Sequence, residues 1–120
     1  MIIRVLMRVP SKPCHPVATH IGGIYVTLKW TKPEHKNGLD ITGYVIKYGR
    51  KYTDVDDYDE LCVSGDTTNF QFTHQLNAFT LYRFSVAAVN DAGRGEFSEF
   101  TNYVETSLGE HYNYHPSSVQ

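Results

Sequence analysis

A glycine-flanked arginine in the last third of the chain suggests two kinds of chemistry. Gly93-Arg94-Gly95 is a glycine-rich turn of the kind whose backbone N–H groups can hold a phosphate. The overlapping Arg94-Gly95-Glu96 is one methylene longer than the Arg-Gly-Asp tripeptide that adhesion receptors bind. A phosphate loop leads into a helix N-terminus, whereas residues 96–106 have the pattern of a strand. The longer carboxylate of Glu96 also fits metal-coordinated recognition poorly. We therefore interpret the stretch as a turn in which Gly93 and Gly95 supply positive φ.

The segment YTDVDDYDELCV, residues 52–63, concentrates acidic groups around two tyrosines. Like charges at this density repel one another, so we do not expect the segment to stabilise the fold. It suits a basic protein partner, or an enzyme that modifies a tyrosine. The alternative is a solvated loop balanced by Lys47, Arg50 and Lys51, which is the usual fate of charge runs. The candidate protein-binding residues in this segment are Tyr52, Asp54, Asp56, Asp57, Tyr58, Asp59 and Glu60.

Metal and catalytic chemistry have little support in the sequence. His111 and His115 are four residues apart, a spacing that aligns two metal ligands only on a helix, and their surroundings are not helical. No Gly-x-Ser-x-Gly nucleophile elbow is present. The formal net charge of -2 argues against a nucleic-acid-binding stripe, and no apolar run is long enough to span a bilayer. We expect no enzyme, no metal or other cofactor, no nucleic-acid partner and no direct membrane insertion.

Strands must position these residues, because apolar and polar residues alternate with a period of two along much of the chain. Residues 24–30, 41–49 and 82–90 show this alternation most clearly, and glycine, proline and asparagine turns separate them. Several short strands at such spacing predict an all-β antiparallel sandwich, in which each sheet has one buried face. No helix is expected.

The length of 120 residues, 41% of them hydrophobic and 20% charged, suits one folded domain with a core. Residues 1–12 and 107–120 carry no strand period. We therefore expect an N-terminal linker, a domain over residues 13–106 and a flexible C-terminal tail. The first ten residues, MIIRVLMRVP, lack the cleavage site of a signal peptide, so the chain reads as a piece of a longer protein.

Two sets of spaced residues resemble the fibronectin type III family. The first half of the pattern is Pro16-Val17, Leu28-x-Trp30-x-x-Pro33 and Ile41-x-Gly43-Tyr44. The second half is Leu76-x-x-x-Thr80-x-Tyr82, Val86-x-Ala88-x-Asn90-x-Ala92-Gly93 and Ser98. The resemblance covers about residues 10–106. It implies an immunoglobulin-like, seven-stranded antiparallel β-sandwich with sheets A-B-E and G-F-C-C′.

The resemblance also implies the role of Tyr82 as the tyrosine-corner residue, whose hydroxyl bonds back to the chain at the E–F crossover. Two features depart from the family pattern. Ala78 stands where proline is usual in the E–F turn, and a slip of one residue in strand E predicts a bulge near His74-Gln75. The predicted core consists of Val26, Leu28, Trp30, Tyr44, Ile46, Leu76, Tyr82, Phe84, Val86 and Ala88.

The two cysteines are expected to be free thiols. Cys14 precedes strand A and Cys62 lies in strand C′, and the resemblance assigns these two segments to different sheets. Facing sheets lie about 10 Å apart, whereas a disulfide requires Cα atoms within about 7 Å of each other.

A fibronectin type III resemblance implies a non-catalytic interaction or spacer module, monomeric when isolated. We expect a module of a multidomain adhesion molecule or receptor that binds other proteins. The alternatives are a module of an intracellular muscle or cytoskeletal protein and a stand-alone secreted ligand. The stretch FSVAAVNDAGRGE resembles cell-surface members, whereas free thiols and the lack of an Asn-x-Ser/Thr sequon favour the cytoplasm. The predicted binding surface is the C–C′ segment with the outer face of the G-F-C-C′ sheet, where the outward residues are Val45, Lys47, Arg83 and Tyr103.

Overall fold

The computed structural model describes residues 8–50 and 58–108, and every regular element in them is a β-strand. The strands are, in chain order, β1 (Cys14–Gly22), β2 (Tyr25–Thr31), β3 (Gly43–Arg50), β4 (Asp59–Ser64), β5 (Asn69–Phe72), β6 (Leu81–Asn90), β7 (Gly93–Phe97) and β8 (Val104–Glu105). They form two antiparallel sheets, ordered β1-β2-β5 and β4-β3-β6-β7, and β8 also pairs with β6. None of the described residues belongs to a helix that could cross a bilayer.

This arrangement confirms the predicted all-β antiparallel sandwich. Strands β1, β2 and β5 correspond to A, B and E, and strands β4, β3 and β6 correspond to C′, C and F. Because β7 and β8 both pair with β6, they are the two ends of strand G, interrupted by residues 98–103. The free thiols of Cys14 and Cys62 lie on β1 and β4, in different sheets.

The core lies between the sheets and is filled by side chains that recur with a period of two. Phe84 of β6 packs against Phe72 and Tyr48, with ring centroids 5.1 and 6.3 Å away. Trp30 meets Tyr44 edge to face, with 5.1 Å between centroids. The residues predicted for the core all lie in this buried cluster, namely Val26, Leu28, Trp30, Tyr44, Ile46, Leu76, Tyr82, Phe84, Val86 and Ala88.

The crossover from β5 to β6 is closed by Tyr82. Its hydroxyl accepts a hydrogen bond of 2.8 Å from the backbone N–H of Asn77, as a tyrosine corner requires. The bulge predicted near His74-Gln75 is wrong, because β5 ends at Phe72 and a turn follows. The side-chain oxygen of Gln75 accepts hydrogen bonds from the N–H groups of the two preceding residues. The one-residue shift in the strand pattern therefore falls in a turn that is held by local hydrogen bonds, not inside a paired strand.

Residues 8–13, most of which were expected to form a linker, lie against one end of the sandwich. The side-chain amide of the buried Asn90 donates to the carbonyl of Arg8 over 2.8 Å and to that of Lys36 over 3.0 Å. The side-chain amide of Asn37 donates to the carbonyl of the residue that follows Arg8, over 2.8 Å. Side-chain amides thus satisfy backbone acceptors that have no strand partner.

The Gly93-Arg94-Gly95 stretch begins strand β7. Gly93 has a φ of 135°, as a turn glycine does, but the expectation of positive φ is wrong for Gly95. A Cβ on Gly95 would overlap the carbonyl oxygen of the buried Pro10, so glycine is required there by the close approach of the N-terminal segment. The Arg94-Gly95-Glu96 tripeptide is consequently part of a paired strand.

Candidate protein-binding site

The predicted binding surface divides into a part that the structure describes and a part that it does not. Tyr52, Asp54, Asp56 and Asp57 lie outside the described residues. The remaining candidates lie on or beside the sheet β4-β3-β6-β7, at the positions Val45, Lys47, Tyr58, Asp59, Glu60, Arg83 and Tyr103. Of these, the structure brings together Lys47, Tyr58, Arg83 and Tyr103 on the outer face.

The segment between β7 and β8 runs beside β6, and two of its hydroxyl groups replace backbone acceptors. Ser98 Oγ accepts a hydrogen bond from the N–H of Val86, and Thr101 Oγ1 accepts one from the N–H of Phe84, each over 3.1 Å. The N–H groups of Ser98 and Thr101 donate in return to the carbonyls of Val86 and Phe84, each over 2.8 Å. Both hydroxyl residues are buried, and their hydrogen bonds hold the segment against β6 at two points that are three residues apart.

This interval places aromatic rings on the outer face at Phe97, Phe100 and Tyr103, where cations lie between them. The Nζ of Lys47 is 4.3 Å from the ring centroid of Phe97 and 5.3 Å from that of Phe100. The guanidinium carbon of Arg83 is 4.0 Å from the centroid of Phe100 and 5.4 Å from that of Tyr103. These distances are those of cation–π contacts. Rings and cations therefore alternate along the sheet.

Tyr58 joins this series from the other edge of the sheet, one residue before β4. Its ring stacks on Phe100 with 5.2 Å between centroids, and its hydroxyl accepts a hydrogen bond of 2.6 Å from the guanidinium of Arg83. Gly49 leaves the necessary space, because a Cβ there would overlap the Tyr58 ring. At the far end the guanidinium of Arg94 lies 4.7 Å from the Phe97 centroid. We call this set the cation–aromatic ladder: Arg94, Phe97, Lys47, Phe100, Tyr58, Arg83 and Tyr103.

Two acidic residues lie on β4, and one of them borders the ladder. A carboxylate oxygen of Glu60 lies 3.8 Å from the guanidinium of Arg94. Asp59 pairs with Tyr48 across β3 and β4. Burial raises the pKa of the Tyr48 hydroxyl, and the negative charge of Asp59 raises it further. Directly paired residues share a face, so Asp59 lies on the side of the core residue Tyr48, and of these two acids only Glu60 borders the ladder on the outer face. We call Asp59 and Glu60 the acidic edge of β4.

Val45 differs from the expectation that it is an exposed apolar residue of this face. Only 9% of its surface is exposed. Its cross-strand neighbours are Cys62 on β4 and the fully buried Ala87 on β6, and they flank it closely on the same face. An outward direction on this sheet therefore does not imply exposure.

Sequence reasoning missed Gly49, Arg94, Phe97 and Phe100 as contributors to this face. A signal was present, because Phe97, Phe100 and Tyr103 recur at every third residue. A search for the strand period of two passes over this spacing. Gly49 carries no signal in the sequence, since its role depends on the approach of a ring from another strand.

Metal coordination has no centre in the part of the chain that the structure describes. Within residues 8–50 and 58–108, no group of three or more histidine, cysteine or acidic side chains is placed to hold a metal ion. His111 and His115 lie outside those ranges.

Comparison with known proteins agrees with this geometry. A family model described as the fibronectin type III domain matches residues 11–104, which include strands β1 to β7. The chain belongs to the fibronectin type III family. Tyr82, the ladder and the acidic edge are therefore features of one fibronectin type III module.

The relatives of this module occur in two kinds of protein. The cell adhesion molecule DSCAM from Rattus norvegicus is 34% identical over 114 residues, which cover 92% of this chain and 6% of DSCAM. The striated-muscle M-protein from Gallus gallus is 33% identical over 88 residues, which cover 70% of this chain and 6% of that protein. Among solved structures, the third fibronectin III domain of the human KIAA0343 protein gives a TM-score of 0.74 at 19% identity, over 92% of this chain and 93% of that one. The chain thus spans a small fraction of its longer relatives.

Proposed function

We propose that this fibronectin type III module is a non-catalytic protein-interaction module, and that its binding surface is the cation–aromatic ladder with the acidic edge of β4. The observation that carries the proposal is the ladder itself, which holds rings and cations in a fixed order on the sheet face that points away from the core. Aromatic residues and arginine are enriched at protein interfaces. Side chains that are already ordered on a rigid sheet lose less entropy on binding.

A spacer role is compatible with the same module. The backbone carbonyl of Arg8 is bonded to Asn90, the last residue of β6, whereas the backbone N–H of Thr106 donates to the carbonyl of Thr80, just before β6 begins. The polypeptide therefore enters the sandwich at one end of β6 and leaves at the other. These ends are separated by roughly 30 Å, at about 3.3 Å per strand residue.

For the biological setting, we propose a multidomain adhesion molecule or receptor, with the module on the extracellular side. The match to DSCAM, which covers 92% of this chain, supports this setting. An intracellular muscle protein is the second candidate, and the match to the striated-muscle M-protein supports it. Expression of a tagged parent protein followed by surface biotinylation separates the two settings.

The binding surface is tested with variants of two opposite faces. The ladder variant combines Arg94→Glu and Tyr103→Ser, at two exposed positions of the outer face. The control combines Lys29→Glu and Val17→Ser, two exposed and directly paired residues on the outer face of the sheet β1-β2-β5. Each immobilised protein is incubated with extract from cells that make the parent protein, and the bound partner of the unchanged module is quantified by mass spectrometry. We expect the ladder variant to lose that partner and the control to retain it.

Equal retention by both variants would remove the ladder from the binding surface. Two further variants test the acidic residues separately. One combines Asp59→Lys with Glu60→Lys, and the other combines Asp56→Lys with Asp57→Lys, at positions outside the described residues. Screening acts over about 8–10 Å at physiological ionic strength, so binding through these acids should weaken as salt is raised. Unchanged affinity and unchanged salt dependence in both acidic variants would identify the segment as a solvated loop.

A further inference from the structure

The edge strands of the two sheets differ in how well they resist pairing with another chain. β4 contains the acidic residues Asp59 and Glu60. β7 contains Arg94 and Glu96, and β5 has only four residues. Charged side chains and short length are two means by which an exposed sheet edge avoids pairing with a further strand. β1 lacks both, because its nine residues, Cys14–Gly22, include no lysine, arginine, aspartate or glutamate.

The outer edge of β1 offers backbone groups to a further strand. Within residues 8–50 and 58–108, β2 is the strand that pairs with β1, and no other backbone–backbone hydrogen bond reaches β1. In an antiparallel pair, alternate residues turn their N–H and C=O groups towards the neighbouring strand, so the remaining groups of β1 point to the open edge. Register shifts on both sides limit the regular part of this edge to residues 17–20.

The exposed side chains of β1 are arranged symmetrically about Thr19. Val17 and Ile21 stand two residues before it and two residues after it, and 57% and 58% of their surfaces are exposed. Val17 and Thr19 lie on the outer face of the sheet, because Ala18 between them packs on the core. Ile21 has no cross-strand partner on β2, because it lies in the register shift that ends the regular part.

We propose that the open edge of β1 pairs antiparallel with β1 of a second copy of this chain, about a two-fold axis at Thr19. In this arrangement Thr19 faces Thr19 of the other copy, and Val17 of each copy faces Ile21 of the other. The same exposed apolar pair is thus covered twice, as in the two-fold interfaces that most homodimers use. A strand at a two-fold axis faces its own sequence, and like charges directly opposite one another are destabilising. The uncharged sequence of β1 therefore favours a second copy over a charged partner segment.

This surface is separate from the cation–aromatic ladder, because β1 belongs to the other sheet. A change at Val17 alters the self-pairing and leaves in place a partner that is bound through the ladder. The expectation that the isolated module is monomeric then applies only below the concentration at which β1 pairs, since dimerisation depends on protein concentration.

The first test places charges at the two equivalent contacts. Val17→Lys with Ile21→Lys sets like charges opposite one another, whereas Val17→Lys with Ile21→Glu sets opposite charges there in the same antiparallel register. Sedimentation velocity over a range of protein concentrations measures the dissociation constant of each dimer. We expect the unchanged chain to dimerise and the double-lysine variant to weaken the dimer by about tenfold or more. The lysine–glutamate variant should retain the dimer within about threefold.

The control for this test lies on the opposite edge of the same sheet. Asn69→Lys with Gln71→Lys, at two exposed positions of β5, should leave the dissociation constant unchanged. A chain that remains monomeric at every concentration would overturn the proposal. Equal weakening in the two β1 variants would also contradict it, because the charges would then not face one another as described. Weakening by the β5 variant alone would assign the contact to the other edge.

A second test locates the two-fold axis in a chain that carries Cys14→Ser and Cys62→Ser. Thr19→Cys in that chain should form a disulfide-linked dimer under mild oxidation, as measured by non-reducing electrophoresis. Directly opposed residues of an antiparallel pair have Cα atoms about 4.5–5.5 Å apart, which is within the range of a disulfide. Gln71→Cys, at an exposed position of β5, is the matched control and should remain monomeric. Equal cross-linking at the two positions would show random collision and would count against a two-fold axis at Thr19.

Discussion

The two faces of the sheet β4-β3-β6-β7 are covered in different ways. On the inner face, Tyr44 of β3 and Phe84 of β6 are buried against the facing sheet. On the outer face, Lys47 and Arg83 come from the same two strands and are half-buried between rings. Those rings come chiefly from Phe97 at the end of β7 and from residues 98–103, the irregular middle of strand G. The facing sheet thus covers the inner face, whereas side chains of the edge strand G cover much of the outer face.

The difference matters because the two kinds of cover depend on different forces. Burial of apolar surface contributes about 25 cal/mol per Å² and has no preferred direction, so many core sequences can satisfy it. A cation–π contact at a partly exposed site contributes about 0.5–1 kcal/mol and needs a ring and a cation in one arrangement. The charged ends of lysine and arginine also remain close to water while their stems cover the sheet. We infer that the inner face supplies most of the stability of the fold, whereas the outer face determines which charged and aromatic groups the module presents.

The largest effect should follow from a change on the inner face. Trp30→Ala removes a buried ring that packs edge to face on Tyr44, and it should lower the free energy of unfolding by about 3–5 kcal/mol. The indole N–H of Trp30 is buried and has no hydrogen-bond partner among the residues that the structure describes, so Trp30→Phe, which keeps a ring and removes that donor, should cost less. Urea denaturation of both variants measures the difference. A loss below about 1 kcal/mol for Trp30→Ala would show that the core is centred elsewhere.

A smaller effect is expected at the end of the inner face, where one polar bond closes the crossover. Tyr82→Phe keeps the ring in the core but leaves the N–H of Asn77 without its acceptor. The free energy of unfolding should fall by about 1–2 kcal/mol, with no change in topology. Hydrogen exchange of the Asn77 amide provides a direct measurement, because its protection should fall more than that of the β6 amides. Unchanged protection at Asn77 would contradict a closing role for the Tyr82 hydroxyl.

The same contrast explains how much could be predicted from the sequence. The inner face follows from a period of two, which is local, so Tyr44 and Phe84 could be placed before the structure was known. The outer face depends on side chains that meet across strands, as when the Tyr58 ring fits over Gly49. Val45 was misplaced for the same reason, because its burial depends on neighbours from two other strands. Period alone gives the direction of a side chain, and only the assembled sheet gives its exposure.

The smallest effect should come from the ladder, and it should reveal itself as coupling rather than as loss of stability. Phe100 contacts Lys47, Arg83 and Tyr58. Phe100→Leu keeps an apolar side chain but removes the aromatic face, and should cost about 0.5–1 kcal/mol. Lys47→Met removes the charge and keeps the stem, so the two changes together should cost less than their sum, by about 0.5 kcal/mol.

The exposed Lys29 on the opposite sheet provides the control, since Lys29→Met should add to Phe100→Leu without coupling. Denaturant titrations of the four proteins in each cycle measure these terms. Strict additivity with Lys47 would mean that the rings and cations are neighbours without an energetic link. A Phe100→Leu loss as large as that of Trp30→Ala would instead assign Phe100 to a second apolar core, and the distinction between the two faces would fail.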